Sequence, residues 1–184
     1  MNALANSKFD VKTMTRIALC TALIAICSWI SVPAHVPFTL QTFAVFFACD
    51  LLGAAAVPTV ALYLLLGAVG VPVFAEFSGG LGSLLGATGG YLIGFLAIAV
   101  LMTLWQRLFR ERFRLLGMLL GLMVCYLFGT CWFVVVYARG GSAISFMTAL
   151  GWCVLPYIIP DLIKILLARL IAGRVREALK GSRA

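Results

Sequence analysis

The sequence predicts an all-α membrane protein, a single bundle of six transmembrane helices whose N- and C-termini are both cytoplasmic. Three features predict this fold class: the composition, the length of the apolar runs and the placement of the basic residues. Of the 184 residues, 64% are hydrophobic and only 11% are charged, and the mean hydropathy is +1.12. A soluble domain carries about a quarter charged residues, so this chain has too little polar surface to cover a water-exposed globule.

Six apolar runs approach or reach the roughly 20 helical residues that cross a bilayer core. We place the spans at residues 15–32, 39–56, 58–75, 86–106, 115–138 and 147–172. The first run is longer than the apolar core of a secretory signal, so we expect it to be retained. The second and third runs are the least well separated. The whole chain, residues 1–184, is expected to form one integral-membrane domain.

The basic residues test the number of spans. Twelve of the fourteen Lys and Arg residues lie in three clusters, before span one, between spans four and five, and at the chain end: Lys8, Lys12, Arg16; Arg107, Arg110, Arg112, Arg114; Arg169, Arg174, Arg176, Lys180 and Arg183. Six spans put all three clusters on one side, and the positive-inside rule makes that side cytoplasmic. One span more or fewer would divide the clusters between the two sides.

Several function classes are excluded by what the sequence lacks. The net charge of +8 lies at the ends of apolar runs, which is typical of membrane topology and not of nucleic-acid binding. No phosphate-binding loop of the glycine-lysine-serine/threonine type occurs, so the chain is not expected to hydrolyse nucleotides itself. The single histidine, His35, leaves no two-histidine metal motif. We therefore predict no catalytic residue, no metal site and no cofactor, and we expect the six cysteines to be small buried apolar residues.

The most informative residues are Asp161 and Lys164, because both lie inside the sixth apolar run. Each charge at the centre of a span costs roughly 2.5–3.5 kcal/mol on insertion scales. Residues three apart share one helical face, so the two can neutralise each other. Two hypotheses remain open: a self-satisfied intramembrane salt bridge, or a pair that faces a polar cavity and binds a ligand. The nearby Pro156 and Pro160 favour the second, because backbone freed by proline is tolerated where it lines a cavity.

Two predicted outer segments could contribute to such a cavity. Residues 77–91 contain six glycines and include Ser78, Gly90 and Tyr91, so this loop permits tight turns and close approach to a ligand. A compact turn followed by an interfacial tyrosine explains the same residues. Residues 33–41 offer the stiff Pro37 together with Phe38, Thr39 and Gln41, which could form a lid over a pocket or an ordinary interhelical turn.

Ala18 and Ala22 in span one place small residues four apart on one helical face. Such a pair lets a second helix approach closely. The helix that approaches is either another helix of this bundle or a separate membrane subunit, and the sequence leaves both open.

Five blocks together resemble the BioY family, the biotin-specific substrate-binding components of energy-coupling-factor transporters. In chain order they are Pro-Phe-Thr-Leu-Gln (37–41), Leu-Leu-Leu-Gly-Ala-Val-Gly-Val-Pro-Val-Phe-Ala (64–75), Ser-Gly-Gly-Leu-Gly (78–82), Thr-Gly-Gly-Tyr-Leu-Ile-Gly-Phe (88–95) and Pro-Asp-Leu-Ile-Lys (160–164). The resemblance covers essentially the whole chain. One position departs from it, because Ala87 stands where the family pattern has proline, and the loop geometry there is left open.

The resemblance implies a six-helix component of a prokaryotic cell membrane that holds biotin near its extracellular side. By family correspondence, Asp161 and Lys164 contact the ligand, Gln41 and Tyr91 match further site positions, and loops at the outer end close the pocket. The small residues Ala18 and Ala22 correspond to the face that packs on a transmembrane coupling protein, which two ABC-type ATPase subunits drive. The chain itself is then a non-enzymatic binding subunit.

Three alternatives remain at this stage. The chain could be a binding component for a different vitamin, an intramembrane enzyme that uses Asp161 and Lys164 as acid and base, or a structural scaffold without a saturable ligand. Biotin suits the charged pair, because its ureido group offers two donors and an acceptor and its carboxylate is an anion. Lys164 can bind the carboxylate or the ureido oxygen, and Asp161 can accept from ureido nitrogens.

Overall fold

The computed structural model describes residues 10–33, 36–109, 113–141 and 144–181, and these residues are mostly helical. The α-helices are α1 (Val11–Trp29), α2 (Gln41–Leu52), α3 (Ala56–Ala68), α4 (Leu81–Leu85), α5 (Gly89–Leu108), α6 (Arg114–Arg139), α7 (Phe146–Cys153) and α8 (Ile158–Gly181), with short 3-10 helices at Gly53–Ala55, Ala75–Phe77 and Leu155–Tyr157. Five of the charged or ionisable residues named above lie outside the described residues: Lys8, His35, Arg110, Arg112 and Arg183.

Four helical stretches among the described residues are long and apolar enough to cross a membrane: Val11–Trp29, Gln41–Ala68, Gly89–Leu108 and Arg114–Arg139. The chain is therefore a multi-pass helical membrane protein. α8 is 24 residues long, but Asp161 and Lys164 lie within it.

The stretch Gln41–Ala68 is a helical hairpin and not one continuous helix. The side-chain amide of Gln41, at the start of α2, donates to the hydroxyl of Tyr63 in α3 at 2.6 Å. In a straight helix, 22 residues would separate these two positions by roughly 33 Å. The chain therefore reverses direction near Gly53, where φ is +59° and ψ is −122°.

α5 and α6 pack against each other in antiparallel directions. Gly94 of α5 lies against Cys125 of α6, and Gly117 of α6 lies against Trp105 of α5. An added Cβ at Gly117 would approach the Trp105 ring to 2.6 Å, so glycine is needed for this close approach.

The predicted sixth span is divided into α7, a 3-10 turn and α8. Pro156 lies in the 3-10 turn, and Pro160 lies in the first turn of α8. The first-turn position suits proline because the backbone N–H it lacks would have no intrahelical acceptor there. The prolines therefore mark the start of α8 rather than a kink in its middle, and Asp161 and Lys164 lie in its first two turns.

A two-stranded antiparallel ribbon, which the all-α prediction did not include, closes the loop between α1 and α2. β1 (Ser31–Val32) pairs with β2 (Phe38–Thr39). The backbone N–H of Leu40 donates to the carbonyl of Ile30 and continues the pairing. Two-residue strands carry no periodic signal, so the pattern of the sequence could not reveal them.

A buried acid at the end of α2, Asp50, joins three helices and was not singled out from the sequence. Its carboxylate lies 2.9 Å from Arg114 of α6, 3.3 Å from Arg169 of α8 and 3.1 Å from Arg176 of α8. Arg114 and Arg176 also donate to the Asp50 backbone carbonyl, at the negative end of the α2 dipole. We call these four residues the arginine cluster. It brings the second and third basic regions of the sequence to one end of the bundle.

Candidate functional site

A cavity of about 200 Å³ lies at the end of the bundle away from the arginine cluster. A single water molecule needs roughly 10–15 Å³ of such space, so the cavity can hold a small organic molecule. Its walls come from the loop before α2, the glycine-rich segment, α5, α6, the 3-10 turn after α7 and the start of α8. Apolar rings and chains line much of it, among them Phe74, Leu92, Phe95 and Leu122.

Asp161 and Lys164 both line this cavity and form an ion pair with one another. Lys164 Nζ lies 2.8 Å from Asp161 Oδ1, and each side chain is 6% exposed. Lys164 Nζ also donates to the backbone carbonyl of Thr39 at 2.7 Å and lies 3.9 Å from the centroid of the Phe38 ring. The ion pair of the first hypothesis and the cavity of the second are therefore both present, and ligand binding by the pair stays a prediction.

Tyr126 of α6 completes the surroundings of Asp161, and the sequence analysis missed it. Its hydroxyl donates to Asp161 Oδ2 at 2.6 Å, and its side chain lines the cavity. Asp161 and Tyr126 are 35 positions apart. A single tyrosine in an apolar run gives no pattern that would identify such a partner.

The loop at residues 36–39 is held over the cavity by side chains from the far end of the chain. Pro37 and Thr39 line the cavity. The Tyr157 hydroxyl donates to the Val36 carbonyl, and the Tyr157 ring stacks on Phe38 with centroids 6.0 Å apart. Because Lys164 holds Thr39 as well, the segment after α7 fixes this loop at both ends.

Gln41 lines the cavity at the start of α2 and is 4% exposed. Its amide nitrogen donates to Tyr63 Oη at 2.6 Å, and the Tyr63 hydroxyl donates to the Val73 carbonyl at 3.0 Å. The Gln41 side chain is thus held in one orientation, and its carbonyl oxygen is the group it can offer to a ligand.

Tyr91 is buried at the cavity wall, and the neighbouring Gly90 is buried against α6. The Tyr91 hydroxyl is 2.9 Å from Thr130 Oγ1, and its ring lies against Gly129, where an added Cβ would approach within 2.2 Å of the ring. Gly90 faces Trp132 of α6, and a Cβ there would lie 2.3 Å from the Trp132 Cβ. Gly90 is not among the residues that line the cavity, and its lack of a side chain makes room for Trp132; a ligand contact at Gly90 stays a prediction.

The glycine-rich segment contributes hydroxyl groups to the cavity: Ser78, Ser83 and Thr88. The Ser78 hydroxyl donates to the Ala75 carbonyl at 2.7 Å. Just before it, Glu76 and Phe77 adopt left-handed backbone conformations with φ of 57° and 56°, and Glu76 also lines the cavity. Two consecutive non-glycine residues in this region cost of order 1–3 kcal/mol each, and such strain concentrates at ligand sites.

Ala18 and Ala22 lie on an exposed face of α1, away from the bundle. Larger apolar neighbours on this face are also exposed, including Met14, Leu19 and Ile26. The helices that the structure describes therefore do not pack on the small-residue pair.

The fold and site together define a membrane-embedded binding protein for a small ligand with polar groups, because a buried charged pair faces a partly apolar cavity in a multi-pass helical membrane protein. The BioY family model matches residues 2–181. The chain belongs to the BioY family.

Individual relatives agree with this assignment. The chain is 39% identical over 167 residues to the "probable biotin transporter BioY" of Pyrococcus horikoshii, covering 90% of this chain and 96% of the relative. It is 37% identical over 175 residues to the biotin transporter BioY of Thermotoga maritima, covering 91% and 97%. The solved structure of the S-component for biotin from an ECF-type ABC transporter superposes with a TM-score of 0.83 at 29% identity, covering 94% of each chain.

Proposed function

We propose that this chain is the biotin-binding subunit of an energy-coupling-factor importer, which captures biotin on the extracellular side of a prokaryotic cell membrane. The single observation that carries the proposal is the buried Asp161–Lys164 pair at the wall of the cavity. Membership of a family whose named members are biotin transporters supports the choice of ligand.

The chemistry of the cavity suits biotin. Within the described residues Asp161 accepts a hydrogen bond at each oxygen, from Tyr126 and from Lys164, and a carboxylate has about four acceptor sites. The two that remain can receive N–H donors of a ureido group. Lys164 has three donors, and its bond to the neutral Thr39 carbonyl can be exchanged for one to a ligand oxygen. The apolar wall formed by Phe74, Leu92 and Phe95 suits the thioether ring and chain.

We propose a topology of six spans formed by α1, α2, α3, α5, α6 and α8, with both termini in the cytoplasm. The hairpin of α2 and α3 supports counting two spans where the hydropathy gives one long stretch. The arginine cluster supports placing the basic regions on one side, which the positive-inside rule makes cytoplasmic. The cavity at the opposite end then opens to the outside.

The partners that we propose are a transmembrane coupling protein and two ABC-type ATPase subunits. The solved relative is a component of an ECF-type ABC transporter. The exposed Ala18 and Ala22 on α1 support a docking face for a helix of the coupling protein, because small residues let two backbones approach in lipid.

Replacing Ala18 and Ala22 together by leucine is expected to leave biotin binding unchanged but to abolish co-purification with the coupling subunit, since two bulky side chains keep the helices apart. Binding is measured by calorimetry on the isolated subunit, and assembly by affinity purification of the co-expressed complex. Val135→Leu, at a 48% exposed position of α6, is the matched control. Full co-purification of the double variant with the coupling subunit would show that this face of α1 is not the docking surface.

Titration calorimetry of the detergent-purified subunit against biotin and a panel of other vitamins tests the proposed function. The expected result is saturable binding of one biotin per chain and no comparable heat with the others. Tight binding of a different vitamin would identify that vitamin as the ligand instead of biotin. The absence of any saturable ligand would overturn the binding role.

A further inference from the structure

Tyr126 holds the one oxygen of Asp161 that Lys164 does not. Its hydroxyl is 2.6 Å from Oδ2, while Lys164 Nζ is 2.8 Å from Oδ1. The tyrosine belongs to α6 and the two charged residues to α8, so this hydrogen bond joins the two helices at the cavity wall. No motif in the sequence connects Tyr126 with the ligand.

We propose that Tyr126 is a positioning residue for ligand recognition, which fixes the plane of the Asp161 carboxylate so that its remaining acceptor sites point at the N–H donors of a cyclic urea. This inference rests on the proposed function, since it assumes that a ureido ligand occupies the cavity.

The physical reason is that the χ2 torsion of aspartate rotates easily. The χ2 angle of aspartate is an sp³–sp² torsion with broad preferences, so a carboxylate held at one oxygen can still rotate. Lys164 alone holds only Oδ1. A second donor at Oδ2, from a different helix, removes that rotation. Acceptors fixed in direction before the ligand arrives bind a rigid planar donor pair without ordering cost.

Tyr126 also occupies one acceptor site of Asp161 Oδ2. The phenol donates to Asp161 and so accounts for a lone pair that would otherwise be left unsatisfied in a buried site. The same hydrogen bond leaves Asp161 an acceptor towards the cavity. Ligands that present N–H groups are thus favoured over those that present only acceptors or methyl groups at this wall.

Tyr126→Phe removes the donor and keeps the ring. We expect the Kd for biotin, measured by calorimetry, to rise about 10- to 100-fold, the range for loss of one hydrogen bond to a charged group. For biotin analogues methylated on one ureido nitrogen, the Kd should rise much less, so that the selectivity ratio between biotin and the analogues falls. Unchanged biotin affinity overturns the inference, and so does an equal loss for all ligands, which is what a purely structural role produces.

The matched control is Tyr137→Phe on the same helix. Tyr137 stacks on Phe133 with ring centroids 4.4 Å apart and does not line the cavity. Removing its hydroxyl should therefore leave the affinities for biotin and for the methylated analogues as in the wild type. Titration of the wild type with biotin distinguishes a failure of the proposed function from a failure of the role of Tyr126. If the wild type does not bind biotin, the proposed function fails; if it binds and Tyr126→Phe binds equally well, only the role of Tyr126 fails.

A second measurement tests the inference in case the Tyr126→Phe protein does not fold. Incorporation of 3-fluorotyrosine at position 126 keeps the ring and the hydroxyl donor. Its ¹⁹F resonance is expected to shift when biotin is added, since the ligand would engage the carboxylate to which this hydroxyl donates. A resonance that stays in place at saturating biotin overturns the inference.

Discussion

Lys164→Ala is expected to reduce the biotin affinity of the purified protein by at least about 100-fold while the protein still inserts and purifies. The reason is electrostatic: without the ammonium, the Asp161 carboxylate is left uncompensated at the cavity wall, and truncating one partner of a buried hydrogen-bonded charge pair costs about 2–5 kcal/mol of binding free energy. The same change removes the donor that can bind a ligand oxygen and frees the Thr39 carbonyl of the loop over the cavity. Calorimetry with biotin measures the loss, and circular dichroism checks the fold.

Arg174→Ala provides the control for this variant. Arg174 is also a basic residue of α8, but it does not line the cavity, so its removal should leave biotin affinity within a few-fold of the wild type. Wild-type affinity in the Lys164→Ala protein would refute the role of this lysine in the site.

Asp50→Ala is expected to have the largest effect on stability. Its side chain is fully buried, and it is the shared acceptor for arginines from α6 and α8. Without the carboxylate, three guanidinium groups repel one another at the end of the bundle, and breaking a buried pair costs about 3–5 kcal/mol. The apparent melting temperature in detergent should fall by about 10 °C, given the roughly 2–4 °C that each kcal/mol shifts a chain of this size.

Asp10→Ala is the matched acidic control. Asp10 is exposed before α1 and makes no side-chain capping bond, so its loss should move the melting temperature by no more than about 2 °C. Equal melting of Asp50→Ala and the wild type would show that the arginine cluster adds nothing to stability.

The sequence revealed the parts of the site that lie close together along the chain. Asp161 and Lys164 are three residues apart in an apolar helix. The free-energy cost of placing their charges in the membrane and the helical face that they share could therefore both be derived from their positions in the sequence. Tyr91 and Gln41 followed from the family resemblance, and both line the cavity.

The residues that the sequence did not reveal are those whose partners are distant along the chain. Tyr126 meets Asp161 across 35 positions, and Asp50 meets Arg176 across 126. Helical periodicity gives the face of each residue but not the helix that packs on it. A glycine beside a site indicates close approach but not what approaches: an added Cβ at Gly90 would meet Trp132, and a ligand contact there stays a prediction.

A structure of the protein with biotin bound tests the central claim most directly. Biotin is expected inside the cavity, with its polar atoms within about 2.6–3.2 Å of both Lys164 Nζ and an Asp161 oxygen. Biotin seated elsewhere, with the lysine and the aspartate still bonded only to protein groups, would contradict it.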